Sequence, residues 1–443
     1  MEKNMQLNKR VSGRSGLGKR SGGCAGEGRA SRRAGRGLGL DVVAGERAGG
    51  GASELLGARL TGGSREIREA ENVSRRQFMV AAGMVSVGVG IGGVGGCARG
   101  GGKETVTLYT SSDAFIAKPI IERFELSSGI SVKAITDTEA TKTTGLIGRL
   151  LLERERPTCD VWWSNELLGT AQLAAAGLLA PMKLSERLLA GFGGTGAMGN
   201  GWPAGFCDEG GLWYGHGLRV RVVAYHPARV PKELTDGGEA GGVLDPLNFM
   251  VDPVFKGRIG MARPQFGTTR MQMVAWAAER GIESLQNFLE GLKANEVRLY
   301  HGNSAVIAAV AHSEVTLGLT DSDDAAEGLS KKWPVASVPA VWREADGVNV
   351  GPLVIPNTVA IIKNCPRPKE AAALAEFLLS SECEEMLAVS SGRNIPLRGE
   401  LRARLSGDLK AMWPAENALP PAAKALTDAQ AGVDALLGKL FGA

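Results

Sequence analysis

From Thr105 to about residue 390 the chain alternates short apolar, β-branched runs with longer stretches whose apolar positions fall at helical spacing. This rhythm constrains the fold more than any other feature. The spacing predicts strands over 105–110, 130–135, 160–163, 218–225, 258–261, 296–300, 315–319 and 353–362. It predicts helices over 114–126, 144–154, 169–176, 270–280, 282–293, 305–312, 369–379 and 383–390, with Gly129 and Gly177 as natural stops. Strands that alternate with helices pair in parallel, because each helix returns the chain to the same end of the sheet and covers one face. The expected class is therefore α/β. A body of about 340 residues exceeds what one hydrophobic core usually serves. Two lobes are expected, 105–220 with 336–443 as the first and 221–335 as the second. No flexible linker separates them, so strands are expected to cross between the lobes as a hinge.

The N-terminal hundred residues follow another logic. Residues 1–70 are rich in Gly, Arg, Ser and Ala and lack apolar periodicity, so a disordered or untranslated extension is expected. Residues 71–97 then carry Ser74-Arg75-Arg76-Gln77-Phe78-Met79, an apolar run from Val80 to Val94, and Val94-Gly95-Gly96-Cys97. Basic, apolar and small residues in that order make an export signal, and the paired arginines indicate twin-arginine export. The apolar run is shorter than the ~20 residues of a membrane-spanning helix. Small residues before Cys97 make it the expected lipidation site, with 98–104 as a tether from the membrane.

The charge divides the same way. Lys and Arg number 51 against 47 Asp and Glu, but residues 1–97 hold 16 against 8, which leaves 35 against 39 for the rest. The basic balance belongs to the extension, and no nucleic-acid partner is expected. Among the six cysteines no pair has CxxC spacing. Cys159, Cys207, Cys365 and Cys383 are expected as single buried thiols, with disulfides as the other possibility in an oxidising compartment. The sequence has no HExxH, no Gly-x-Ser-x-Gly elbow and no P-loop, so neither an enzyme nor a resident cofactor is expected.

Several motifs in order resemble the ferric-iron-binding-protein-like subfamily of family 1 extracellular solute-binding proteins of ABC importers. They are the 106–112 strand through Ser111-Ser112, Asp137 to Gly145, Asp160 to Glu166, Gly267-Thr268-Thr269, Gly302-Asn303-Ser304, Leu319 to Asp324, and Val354 to Thr358. The resemblance spans about 105 to 400. It implies a two-lobed, type II periplasmic-binding-protein-like fold that closes on its ligand. It also implies an extracytoplasmic location, the transmembrane subunits of an ABC permease as partner, and a monomer.

Three hydroxyl-bearing stretches fall where strands hand over to helices: Ser111-Ser112, Thr268-Thr269 and Asn303-Ser304. Helix N-termini there favour an anion, although the same residues also serve as ordinary caps. Glu139, Glu166, Asp321, Asp323 and Asp324, with Asn165 beside Glu166, form an acidic set suited to a hard cation or an ammonium group. The resemblance implies a late pair of adjacent tyrosines as ferric ligands, yet Asp321-Ser322 stands there. Glu166, Asp321, Tyr300 and His301 are then the candidate metal ligands. Arg221, flanked by valines, is either a clamp on a ligand oxyanion or half of a buried ion pair. Trp162, Trp163, Trp213 and Trp276 are expected in the core. The cargo these features suit is ferric iron with a bound anion, or else a zwitterion such as an aminoalkyl phosphonate.

Overall fold

A computed structural model describes residues 104–137, 143–190, 192, 202–230, 246–343, 349–350, 352–404 and 420–442. The extension, the export segment with Cys97, and Glu139 lie outside the described residues.

β1 (Thr105–Thr110) lies parallel between β2 (Ser131–Thr136) and β3 (Val161–Ser164). The Ala114–Ser128 helix returns the chain from β1 to β2 and ends at Gly129, whose φ of 76° is the left-handed conformation that glycine adopts without strain. The short β4 (Leu179–Ala180) pairs with β12 (Val354–Ile362), which also runs antiparallel to β3.

β5 (Tyr214–Tyr225) connects this region to the next. All 12 of its residues are buried. Residues 214–220 pair with β12, whereas 221–225 pair with β8 (Leu317–Asp321) and β9 (Ala336–Pro339), so β5 changes partners between Val220 and Arg221. β6 (Ile259–Ala262) lies parallel between β8 and β7 (Arg298–Tyr300). The resulting order is β2-β1-β3-β12-β5-β8-β6-β7. Parallel pairing dominates at the flanks, and antiparallel pairs sit in the middle, where chain segments cross from one lobe to the other. β10 (Trp342–Arg343) and β11 (Asn349–Val350) form a separate antiparallel pair.

One hydrophobic core gathers Val106, Leu108, Trp163, Tyr214, Leu218 and Val359. Another joins Trp162, Trp213 and Leu173 to Met261, Val274, Trp276 and Phe288, with Val433 and Leu437 among them. All four tryptophans singled out in the sequence thus pack in cores. The expected division put 336–443 in the first lobe, and two of its elements also contact the 221–335 segment. β9 pairs with the second half of β5. The Ala423–Phe441 helix packs on both sides, its Gln430 accepting a 2.5 Å hydrogen bond from Gln172 and its Asp434 taking Arg270 at 2.6 and 2.8 Å. Leu426, Val433 and Leu437 are its buried stripe, and that apolar face, rather than chain order, decides where it docks.

None of the four described cysteines forms a disulfide. Among the described residues no helix is long and apolar enough to cross a membrane.

Candidate functional site

Four helices begin where strands end: Leu167–Ala175 after β3, Gly267–Arg280 after β6, Asn303–Ala311 after β7 and Ser322–Ser330 after β8. Ligands of open α/β sheets bind at this edge, where backbone N–H groups of helix first turns are unpaired and the helix dipoles are positive. Gly267 opens its helix at φ 57°, which a side chain would resist. A cleft of about 30 Å³ gathers Asn165 after β3, Arg219 on β5, Arg263 and Thr268-Thr269 after β6, His301 and Asn303 after β7, and Asp321 at the end of β8. Asp113 and Asp324 also line it. At ~10–15 Å³ per water, that is room for two or three waters.

The chemistry beneath the cleft is a closed charge network. Arg221 is fully buried and donates to Asp321 Oδ1 at 2.7 Å, to Gln272 at 2.9 Å and to Asn303 at 3.3 Å. It also reaches the hydroxyls of Thr268 and Thr269, both at 3.4 Å. Asp321 Oδ2 accepts from Thr268 at 2.7 Å, from Asn303 at 2.9 Å and from Arg219 at 3.3 Å. Arg219 donates as well to Asp323 at 3.1 Å and to the carbonyl of Asn165, so it touches elements on both sides of the crossover strand.

Burial alone would raise the Asp321 carboxyl, but Arg221 and Arg219 hold it below its ordinary value. Asp323 behaves oppositely: burial, with the Asp321 charge beside it, raises it to about 6 against the pull of Arg219. Arg219 is pushed further above its ordinary range, because Asp323, Asp321 and Asp324 together outweigh the effect of burial.

The remaining expected residues are placed as follows. Arg221 lies beneath the cleft as an ion pair and does not open onto it. Ser304 donates to Asp324 at 2.7 Å, and Ser111 to Asn165 at 2.9 Å, so both support cleft residues from behind. The Ser112 N–H bonds the Thr110 hydroxyl at 3.0 Å. Glu166 caps the Leu167–Ala175 helix, accepting the Gly169 N–H at 3.0 and 3.2 Å. Its burial raises its carboxyl to about 7, although the Gly169 N–H and the nearby Arg270 pull the other way.

One oxygen each of Asp321, Asp323 and Asp324 comes within 4.8 Å of the others. Tyr300, expected as a metal ligand, instead has its hydroxyl toward Glu314 at 3.5 Å. Tyr109 bonds Thr158 at 2.9 Å and Glu153, Tyr214 reaches the Met182 carbonyl at 3.3 Å, and Tyr225 is buried. All four tyrosines are described, and none lines the cleft.

Sequence reasoning missed Arg219, Asp113 and Arg263. The signal for Arg219 was present: it precedes Arg221 by two residues, and side chains at i and i+2 of a strand share a face.

The fold and its inter-lobe cleft are those of a two-lobed ligand-binding protein. Residues 106–390 match the bacterial extracellular solute-binding proteins, and the chain belongs to that family. It is similar to the major ferric iron-binding protein of Neisseria meningitidis serogroup B, 26% identical over 282 residues that cover 64% of this chain and 78% of the relative. It is also similar to iron uptake protein A1 of Synechocystis sp., 23% identical over 388 residues, covering 81% and 99%. The crystal structure of iron-bound HitA from Pseudomonas aeruginosa has the same fold, with a TM-score of 0.59 at 24% identity, covering 76% of this chain and 99% of that one.

Proposed function

We propose that this protein is the exported solute-binding component of an ABC import system, capturing ferric iron together with an anion and delivering it to the transmembrane subunits of a permease. The observation that carries this reading is the single cleft in which Asn165 meets Thr268, Asn303 and Asp321 from the far side of β5. A guest held there touches both halves, and such contacts favour the closed state over the open one. The iron-binding names of the relatives supply the cargo. The carboxylates of Asp113 and Asp324 and the His301 imidazole line the cleft and are donors of the type a ferric ion accepts. Helix N-termini and Arg219 suit an accompanying oxyanion.

The role is transport, not catalysis. Residues 105–220 and 221–335 supply the two closing halves, with the Ala423–Phe441 helix across both. The chain works as a monomer, exported through the twin-arginine signal and held at the membrane by lipid on Cys97.

Thermal unfolding tests the cargo. Ferric citrate should stabilise the protein, by about 2.7 kcal/mol at a hundredfold excess over Kd. Aminoethylphosphonate and spermidine should not. A shift with aminoethylphosphonate and none with ferric citrate would reject iron as the cargo.

A further inference from the structure

We infer that Gln430 is a positioning residue for cargo capture: it links two helices that start on opposite sides of the cleft, and its bond to Gln172 latches the closed state. This deepens the proposed function and rests on it.

The two helices are Leu167–Ala175 and Gly267–Arg280. Asn165 stands just before the first, Thr268 and Thr269 lie in the first turn of the second, and all three line the cleft. The separation of these helix starts therefore sets the width of the cleft. A chain of side chains running through the Ala423–Phe441 helix joins them. Gln172 donates to Gln430 at 2.5 Å, Gln430 donates to Asp434 at 3.3 Å, and Asp434 accepts from two nitrogens of Arg270 at 2.6 and 2.8 Å. Gln430 and Asp434 are four residues apart and share one helix face. Gln172 and Arg270 each sit within about 8 Å of their helix starts, so movement along this chain is felt at the cleft. A glutamine fits the middle position because its amide accepts from Gln172 and donates to Asp434 at once.

The bridging helix is held unequally. Toward the 221–335 half it has the Arg270 pair, Lys293 on the Leu440 carbonyl at 3.1 Å, and Gln265 on the carbonyl of its cap, Gly442, at 2.8 Å. Toward the 105–220 half, Gln172 to Gln430 is its one hydrogen bond among the described residues. Its apolar stripe shares a core with Leu167 and Leu173 of that half, a contact that is not directional and can slide. The helix therefore travels with the 221–335 half, and opening breaks the Gln172–Gln430 bond. Both glutamines are half-buried, so water replaces the bond at modest cost, and the latch biases the balance between open and closed rather than fixing it.

The test follows the lobes and the cargo together. A donor–acceptor dye pair is attached through keto side chains introduced at the exposed Leu152 and Val254, one in each half, and ferric citrate is the probe. Gln430→Ala should raise the dissociation rate of ferric citrate about two- to tenfold, the range of one hydrogen bond, with the association rate unchanged. It should also enlarge the open fraction read from the dyes, which loss of a purely structural contact would not do. Gln172→Ala should match it, and serves alone if Gln430→Ala does not fold. The double variant should lose no more than either single one, because both remove the same bond. Release and open fraction unchanged in both single variants would overturn the latch, and so would losses that add in the double variant. If wild type binds no ferric citrate, the cargo reading is lost; the open fraction of cargo-free protein then decides the latch, which stands only if that fraction is larger in the variants.

Discussion

Asp321 is the residue on which most of the site's charge depends. It is register partner to Arg221 across the β5–β8 pair and also holds Arg219. A buried ion pair contributes little net stability, but removing one partner leaves an uncompensated charge. Asp321→Ala should therefore destabilise the protein by about 3–5 kcal/mol in urea unfolding. A loss below about 1 kcal/mol would mean that water already shares those guanidinium groups. His216 makes a different point. It is fully buried on β5, its ring is 6.2 Å from that of Trp163, and neither ring nitrogen has a partner. Burial, helped by the Arg398 charge, drives its pKa down to about 3. The unfolded chain binds this proton below about pH 6.5 and the folded chain does not, so the contribution of neutral His216 is complete above that pH and is lost as pH falls toward 3. Glu166, raised to about 7, acts with the opposite slope, losing stability as pH rises from about 4.5 to 7. Comparing wild type with His216→Leu between pH 4 and 6 isolates the histidine. The variant's stability should fall less on acidification, by up to about 1.4 kcal/mol per pH unit. Parallel curves would show that His216 is protonated in the fold.

At the scale of elements, the second lobe depends on how closely the Asn303–Ala311 helix sits on β8. Gly318 permits that approach: a Cβ there would fall 2.6 Å from Val306 Cγ1 and 2.9 Å from Val310 Cγ2. Gly318→Ala should cost about 1–3 kcal/mol by overpacking. It should also weaken cargo binding, because Asn303 begins the displaced helix. Unchanged stability with unchanged binding would mean that the two valines simply turn aside. Most element positions follow from periodicity, and the eight expected strands and eight expected helices all have observed counterparts, shifted by a few residues at their ends. Among the described residues five α-helices were not anticipated, and the two longest of them are Ser322–Ser330 and Ala423–Phe441. Ser322–Ser330 begins with Asp323 and Asp324, which read from sequence as part of an acidic ligand set; in the fold they are buried beside Arg219. Ala423–Phe441 carries apolar residues at 426, 433, 436 and 437, a legible helical stripe, but it follows the stretch on which the resemblance rests.

For the whole molecule, location and architecture are separate questions. If the twin arginines and Cys97 act as proposed, replacing Arg75 and Arg76 together with lysine should leave the chain inside the cell, and Cys97→Ser should move it from the membrane to the soluble extracytoplasmic fraction. Fractionation and blotting read both, and membrane association retained in Cys97→Ser would remove the lipid anchor from the account. The α/β class, the crossing of β5 between lobes and the family motifs were written in the sequence, because strand and helix periods are short-range and survive in one dimension. Which charge neutralises which was not. Arg221 meets Asp321 across 100 residues of chain, and Arg219 reaches Asn165 across 54. Those meetings follow from sheet register and the docking of helix ends, and Coulomb energy depends on separation in space rather than along the chain. Tertiary structure alone therefore decided that the acids of the cleft answer arginines, and that Tyr300 turns toward Glu314.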